Sequence, residues 1–226
     1  MRTFKTFFSV VILATLCSLS STCVASPIEI FEDCTPQGLC SADNTSEILG
    51  VEINGVTWAI YNVGATGTFV ANVEDYGGLY QWNRKDTVNF LLNDAYYESG
   101  FSTATSWMPA NNPCPTGWRV PTFNELKTLL DTEKIINEWT TEKGIKGRRF
   151  TDKTSGNSIF IPAAGYRDSS DGAFKTVGIH GYSWSSNENE YAAIGAYYLV
   201  FANGSVNWGN IYKAYGFPVR CVKSEP

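Results

Sequence analysis

Val51, Ile53, Val56, Trp58 and Ile60 alternate with other residues on either side of Asn54-Gly55. Period-two alternation around a pair that tolerates positive φ predicts a β-hairpin. Residues 76–82 (YGGLYQW) set glycines beside aromatics, and residues 83–112 mix polar and aromatic positions without a period, which predicts a long irregular insertion with one short helix. Thr122 and Glu125 then form an S/T-x-x-E capping box, and Phe123, Leu126, Leu129 and Leu130 fall on one face of the helix it opens. Ile135, Ile136 and Trp139 predict a second short helix before Gly144. From Phe150 onward short strand patterns return, at 158–162, 181–185, 197–201, 205–208 and 219–222. The pattern predicts an α+β fold with antiparallel sheets, one or two helices and long loops, its sheet closing on both chain ends.

The N-terminus changes the picture of compartment. Arg2 and Lys5 precede a mostly apolar run from residue 7 to 19, and Ala25 supplies a small residue before Ser26, which reads as a cleavable export signal over residues 1–25. Polar Ser18, Ser20, Ser21 and Thr22 cut the run short of the roughly 20 apolar residues a spanning helix needs, so no membrane span is expected. Leu16 and Thr22 stand where a bacterial lipobox wants a small residue before Cys17 or Cys23. Residues 26–47 read as an N-terminal arm and 48–226 as the packed domain.

Cleavage would remove two of the 17 basic residues and leave 22 acidic against 15, a balance of −7. With no Lys/Arg run, the chain is not built to neutralise phosphates, and nucleic acid is excluded as a partner. Seven Trp with 12 Tyr and 13 Phe supply an aromatic core with rings left over for a binding surface. Four cysteines would remain, Cys34, Cys40, Cys114 and Cys221, and in an exported chain they imply two disulfides of three conceivable connectivities. Cys34–Cys40, around Pro36 and Gly38, and Cys114–Cys221, tying the middle of the domain to its end, are the favoured pairs.

Six blocks occur in order: GVTWAIYNVGA (55–65), YGGLYQWNRK (76–85), NPCPTGWRVPTFNEL (112–126), IPAAGYR (161–167), GYSWSS (181–186) and GFPVRCVK (216–223). Together they resemble the Fibrobacter succinogenes major paralogous domain, a family of exported proteins common in Bacteroidetes, over roughly residues 48–223. The resemblance implies a C-type-lectin-like fold and an extracellular, cell-surface or periplasmic location, with no agreed activity. Formylglycine-generating enzymes share blocks like GWRVPTFNEL and GFPVRC but need a redox-active cysteine pair shortly before the end, and no cysteine lies between Cys114 and Cys221. Calcium-dependent lectins carry Glu-Pro-Asn or Gln-Pro-Asp and Trp-Asn-Asp. Here Glu188-Asn189-Glu190 and Trp208-Gly209-Asn210 lack the Pro and the last carboxylate. No cofactor is therefore expected; were calcium bound, its ligands would be Asn187, Glu188, Glu190 and Asn210.

Trp58, Trp118 and Trp184 read as core, whereas Trp208 is surrounded by Asn203, Gly204, Asn207, Gly209 and Asn210 and reads as a loop ring. Tyr166, Arg167, Trp208 and Asn210 are the candidate ligand-binding residues. Asp168 and Asp171 read as turn formers, and His180, without a G-x-S-x-G elbow anywhere, reads as a turn or surface residue. Asn44-Thr45-Ser46 and Asn203-Gly204-Ser205 match the glycosylation pattern by coincidence if the chain is bacterial. The sequence thus points to an exported, non-enzymatic module that recognises a glycan or a surface or host protein through the loops of residues 165–215. The first alternative is an accessory or tip subunit of a surface fimbria, with 26–47 as assembly arm; an enzyme related to the formylglycine-generating group is the remote one.

Overall fold

The computed structural model describes residues 50–86 and 102–225. The arm, the Cys34–Cys40 pair and residues 87–101 of the insertion lie outside the described residues. Strands β1 (Gly50–Ile53) and β2 (Val56–Ala59) form the hairpin expected, with Asn54 and Gly55 at φ 48° and 77°. The last strand, β14 (Val222–Lys223), pairs with β2 through Val222 and Trp58 and with β4 (Trp118–Arg119) on its other side. The first and last described strands therefore share one sheet of order β1-β2-β14-β4. Cys221 precedes β14 and Cys114 precedes β4, and the two sulfurs are bonded, with both residues buried.

Helix α1 (Phe123–Thr128) starts where the capping box puts it: Thr122 accepts from the Glu125 N–H at 3.2 Å, and Glu125 accepts from the Thr122 N–H at 2.6 Å. Leu126 and Leu129 bury beneath it. It is the single α-helix among the described residues. The second helix expected at Ile135 to Trp139 is instead strand β5 (Ile135–Glu142), which turns at Lys143 and Gly144, both with positive φ, into β6 (Ile145–Asp152) and on to β7 (Ser158–Pro162). Ile135 is buried while Ile136 is 52% exposed. That is the alternation of a strand, and the Lys143-Gly144 turn, which a hairpin demands, decides the period.

A second four-stranded sheet runs β3 (Tyr80–Gln81), β13 (Gly216–Phe217), β8 (Tyr166–Arg167) and β9 (Phe174–Lys175). The longest strands make the sheet that organises the candidate site: β10 (His180–Asn189), β11 (Ala192–Ala202) and β12 (Ser205–Tyr212), in that order. Consecutive residues of β11 point to opposite faces. Leu199 and Phe201 enter a core with Ile53, Trp58, Leu126, Leu129 and Phe150, whereas Ala196 and Tyr198 pack with Trp82, Trp118, Trp184 and Phe217. Trp58, Trp118 and Trp184 are core residues, as expected.

Fully buried Arg220 ties strands that border the two cores, donating to Asn62 Oδ1 (2.8 Å) and to the carbonyls of Ala59 (3.0 Å) and Phe160 (3.1 Å). Burial lowers its pKa to about 9, since the guanidinium has left water for neutral acceptors. One further correction concerns residues 209 and 210, beyond the strand expected at 205–208. They continue strand β12 rather than forming a loop, and Gly209 is needed for room, since a Cβ there would stand 2.7 Å from the Tyr198 hydroxyl.

Candidate functional site

Two segments distant in sequence, the start of α1 and the β11–β12 hairpin, meet at the N-terminal end of α1. Phe123, the first helical residue, lies flat on Tyr197 of β11, ring centroids 4.1 Å apart at 10°. Trp208 of β12 approaches both rings edge-on, at 5.1 Å from Phe123 and 5.8 Å from Tyr197. It remains 42% exposed. Lys127, one helical turn after Phe123, holds its ammonium 4.7 Å from the Phe123 centroid. Beside the rings opens a groove of about 450 Å³, whose polar wall is Thr105, Asn124, Lys127, Asn187, Glu188 and Glu190. Asn210 is exposed and sits opposite Tyr197 in the β11–β12 register, on the face that carries Trp208.

The β10–β11 register shifts between Trp184 and Glu188, so Asn187 has no partner on β11 and bridges Ser106 instead, while Glu188 pairs with Ala196. Asn187 Oδ1 accepts the Phe123 N–H at 2.8 Å, fastening the helix start to β10. Glu188 accepts from the Lys213 ammonium at 3.0 Å. Lys213 is fully buried, also donates to the carbonyls of Ser102 (3.1 Å) and Ala104 (2.9 Å), and lies 4.4 Å from the Trp82 ring. This cation therefore fixes both the strand that carries the groove and the segment before Thr105.

Tyr166 and Arg167 lie elsewhere. Tyr166 is half-buried among Tyr182 (5.3 Å), Tyr215 (5.6 Å) and Phe217 (6.0 Å), and Tyr182 in turn meets Tyr198. Tyr198 and Tyr197 are neighbours on one strand, so this tyrosine cluster and the Trp208 rings belong to opposite faces of the β10-β11-β12 sheet. Burial, followed by the neighbouring Asp168 carboxylate, raises the Tyr166 pKa. Arg167 donates to the Gly172 carbonyl at 3.2 Å and covers the Phe174 ring at 4.1 Å. Asp168 accepts from Ser170 N–H and Asp171 from Ala173 N–H, the turn-forming roles expected. His180 is half-buried, and its Nδ1 has no hydrogen-bond partner among the described residues.

The family model of the Fibrobacter succinogenes major domain matches residues 23–223, nearly the whole chain and including the segment set apart above as an arm. The chain belongs to that family. No curated protein and no solved structure matches it. In this member of the Fibrobacter succinogenes major domain family the oxygens suggested for calcium do not fit a lectin-type ion. Glu188 already neutralises a buried ammonium, Asn187 spends its carbonyl on the helix start, and Asn210 stands out on β12. A dication needs several free oxygens converging at 2.3–2.6 Å.

The sequence reading missed Phe123, Tyr197, Asn124 and Lys127. Phe123 was counted with the core face of the helix because it keeps the spacing of Leu126 and Leu130. The only sequence signal for Tyr197 is the consecutive pair Tyr197-Tyr198, one ring for each face of a strand.

Proposed function

We propose that the protein is an exported, non-enzymatic recognition module on a C-type-lectin-like frame, and that it binds a glycan in the groove beside Trp208. The observation that carries this reading is a large ring left 42% exposed at the rim of the Phe123–Tyr197 stack, next to a polar groove. An apolar sugar face covers such a ring, while the amides of Asn124, Asn187 and Asn210 and the Lys127 ammonium supply hydrogen bonds to hydroxyls. Export is supported by the signal-like N-terminus and by a disulfide, which persists in oxidising compartments. The C-type-lectin-like assignment is supported by the meeting of the first and last described strands in one sheet stapled by that disulfide.

The test is a glycan array, with a host-protein array beside it, read for the wild type, Trp208→Ala and Tyr166→Ala. Loss of a central aromatic removes about 2 kcal/mol or more, roughly thirtyfold in affinity. Trp208→Ala should therefore abolish the glycan signal, Tyr166→Ala should leave it, and chelator should not change it. A signal that survives Trp208→Ala, appears only on the protein array, or vanishes with chelator refutes this reading.

A further inference from the structure

The two edges of the β10-β11-β12 sheet are treated differently. The outer side of β10 is covered: Trp184 N–H reaches Pro218 O (3.2 Å), Ser186 N–H reaches Pro121 O (2.7 Å), and Trp107 N–H reaches Ser186 O (2.8 Å). On β12 no strand pairs on the outer side among the described residues. Its inward row is set by Lys213 N–H, which bonds Ile194 O at 2.9 Å. Counting back by two, residues 211, 209, 207 and 205 face β11, and 206, 208 and 210 turn their N–H and C=O groups outward. Trp208 N–H accordingly finds no β11 partner and donates to Asn207 Oδ1 at 2.8 Å. Exposed edges of natural sheets are blunted by charged residues, Pro or bulges. Over eight residues β12 (SVNWGNIY) has no Lys, Arg, Asp, Glu or Pro, and its pairing with β11 runs without a register shift.

We infer that β12 is a self-pairing edge through which two copies of this chain join their sheets antiparallel, Trp208 opposite Trp208, into a six-stranded sheet. The second copy is the occupant the strand itself favours. The outward row is nearly its own complement about Trp208, setting Val206 opposite Asn210 of the other copy, and an uncharged strand brings no like charges together. Tyr212, 57% exposed, falls opposite Gly204, where the glycine leaves open space. Six main-chain hydrogen bonds close the pair, two each from Val206, Trp208 and Asn210. The Asn207 side chain is the latch that must swing off Trp208 N–H. The two-fold axis is normal to the sheet, so both Trp208 faces look the same way. This pairing stands independently of the glycan reading; if both hold, the dimer presents two grooves to one surface, and avidity follows without new contacts.

Sedimentation velocity on the purified protein across a concentration series tests the pairing. The wild type should dimerise reversibly. Asn210→Pro removes two outward donors without touching the β11 ladder, as edge positions permit, and should weaken the dimer about tenfold or more. Asn207→Ala, which frees Trp208 N–H, should tighten it. The register is read by two doubles that share the same cost at Val206. Val206→Lys with Asn210→Lys sets like charges opposite and should give monomer, while Val206→Lys with Asn210→Glu sets opposite charges and should restore dimer. A wild type that stays monomeric to its solubility limit, an Asn210→Pro dimer as tight as wild type, or two doubles that behave alike would overturn the inference. Circular dichroism melts on each variant separate a lost dimer from a lost fold.

Discussion

Replacing both Cys114 and Cys221 by Ala removes a link between residues 107 positions apart. Restricting a loop of that length in the unfolded chain is worth about 4.7 kcal/mol in the chain-entropy account. The two Cβ atoms stay in place in the variant, so the buried site loses two sulfurs rather than a whole side chain. The link also holds the end of the chain against its middle, since β14 supplies Val222 as the strand between Trp58 and Arg119. At about 2–4 °C per kcal/mol for a chain of this size, the melting temperature should fall by about 10–20 °C. The assay is thermal unfolding followed by calorimetry in non-reducing buffer, and wild type unfolded and refolded in reductant should melt with the double variant treated in the same reductant. A fall under 3 °C, or a reduced wild type that melts well above the variant, would refute the reasoning, because the unfolded chain would then be constrained by something other than this bond.

Two further outcomes rest on charged groups. Burial pulls the Glu125 pKa up, but the bonds from Arg119 (2.7 and 2.8 Å) and Thr122 outweigh it and hold the carboxyl below its ordinary range; the N–H groups of Ser155, Asn54 and Thr154 do the same for Asp152. Both contribute stability that is complete above the unfolded carboxylate range, about pH 4, and is lost as pH falls through the lowered folded values. The melting temperature should therefore be level above about pH 5 and drop below pH 4, with Glu125→Gln and Asp152→Asn each flattening that drop; unchanged slopes in both would refute the assignment. Lys213→Met strands Glu188 and two carbonyls inside the fold and should cost about 3 kcal/mol. Adding Glu188→Met should recover part of that loss in denaturant titrations, and a double variant no better than the single would show that the ammonium acts through packing on Trp82 instead.

What was legible in the sequence is what is decided locally. Asn54-Gly55 needs only its own φ values to turn the chain, Thr122 and Glu125 satisfy each other's backbone within one helical turn, and Cys114 and Cys221 leave few other partners. Ile135, Ile136 and Trp139 were misread because three apolar positions fit either period; the choice falls to Lys143-Gly144 and to pairing with β6. Gly209 was misread for a similar reason. A glycine beside two asparagines suggests a loop, yet its cause is the Tyr198 hydroxyl on the neighbouring strand, which the local sequence does not reveal. The candidate site was half legible: Trp208 was singled out, while Phe123 and Tyr197, which surround its ring, come from segments 85 and 11 residues away. Tyr166 could not be assigned to the other face without the β11 register.

That register also changes how recognition would work. The sequence suggested binding loops on a rigid frame, but Trp208, Tyr197 and Asn210 stand on paired strands, and Phe123 opens a helix whose first N–H is held by Asn187. Lys213 fixes Glu188 and the approach to Thr105 from beneath. A site so held loses little side-chain and loop entropy when a ligand arrives, so more of each contact appears as affinity. The same rigidity limits what can be altered without loss. On the proposed glycan reading, residues that only line the groove, such as Asn124 and Glu190, would vary with the ligand, whereas Asn187 and Glu188 serve the frame and the groove at once. A change of specificity within this fold is therefore expected to run through Asn124, Lys127 and Glu190 around an unchanged Trp208.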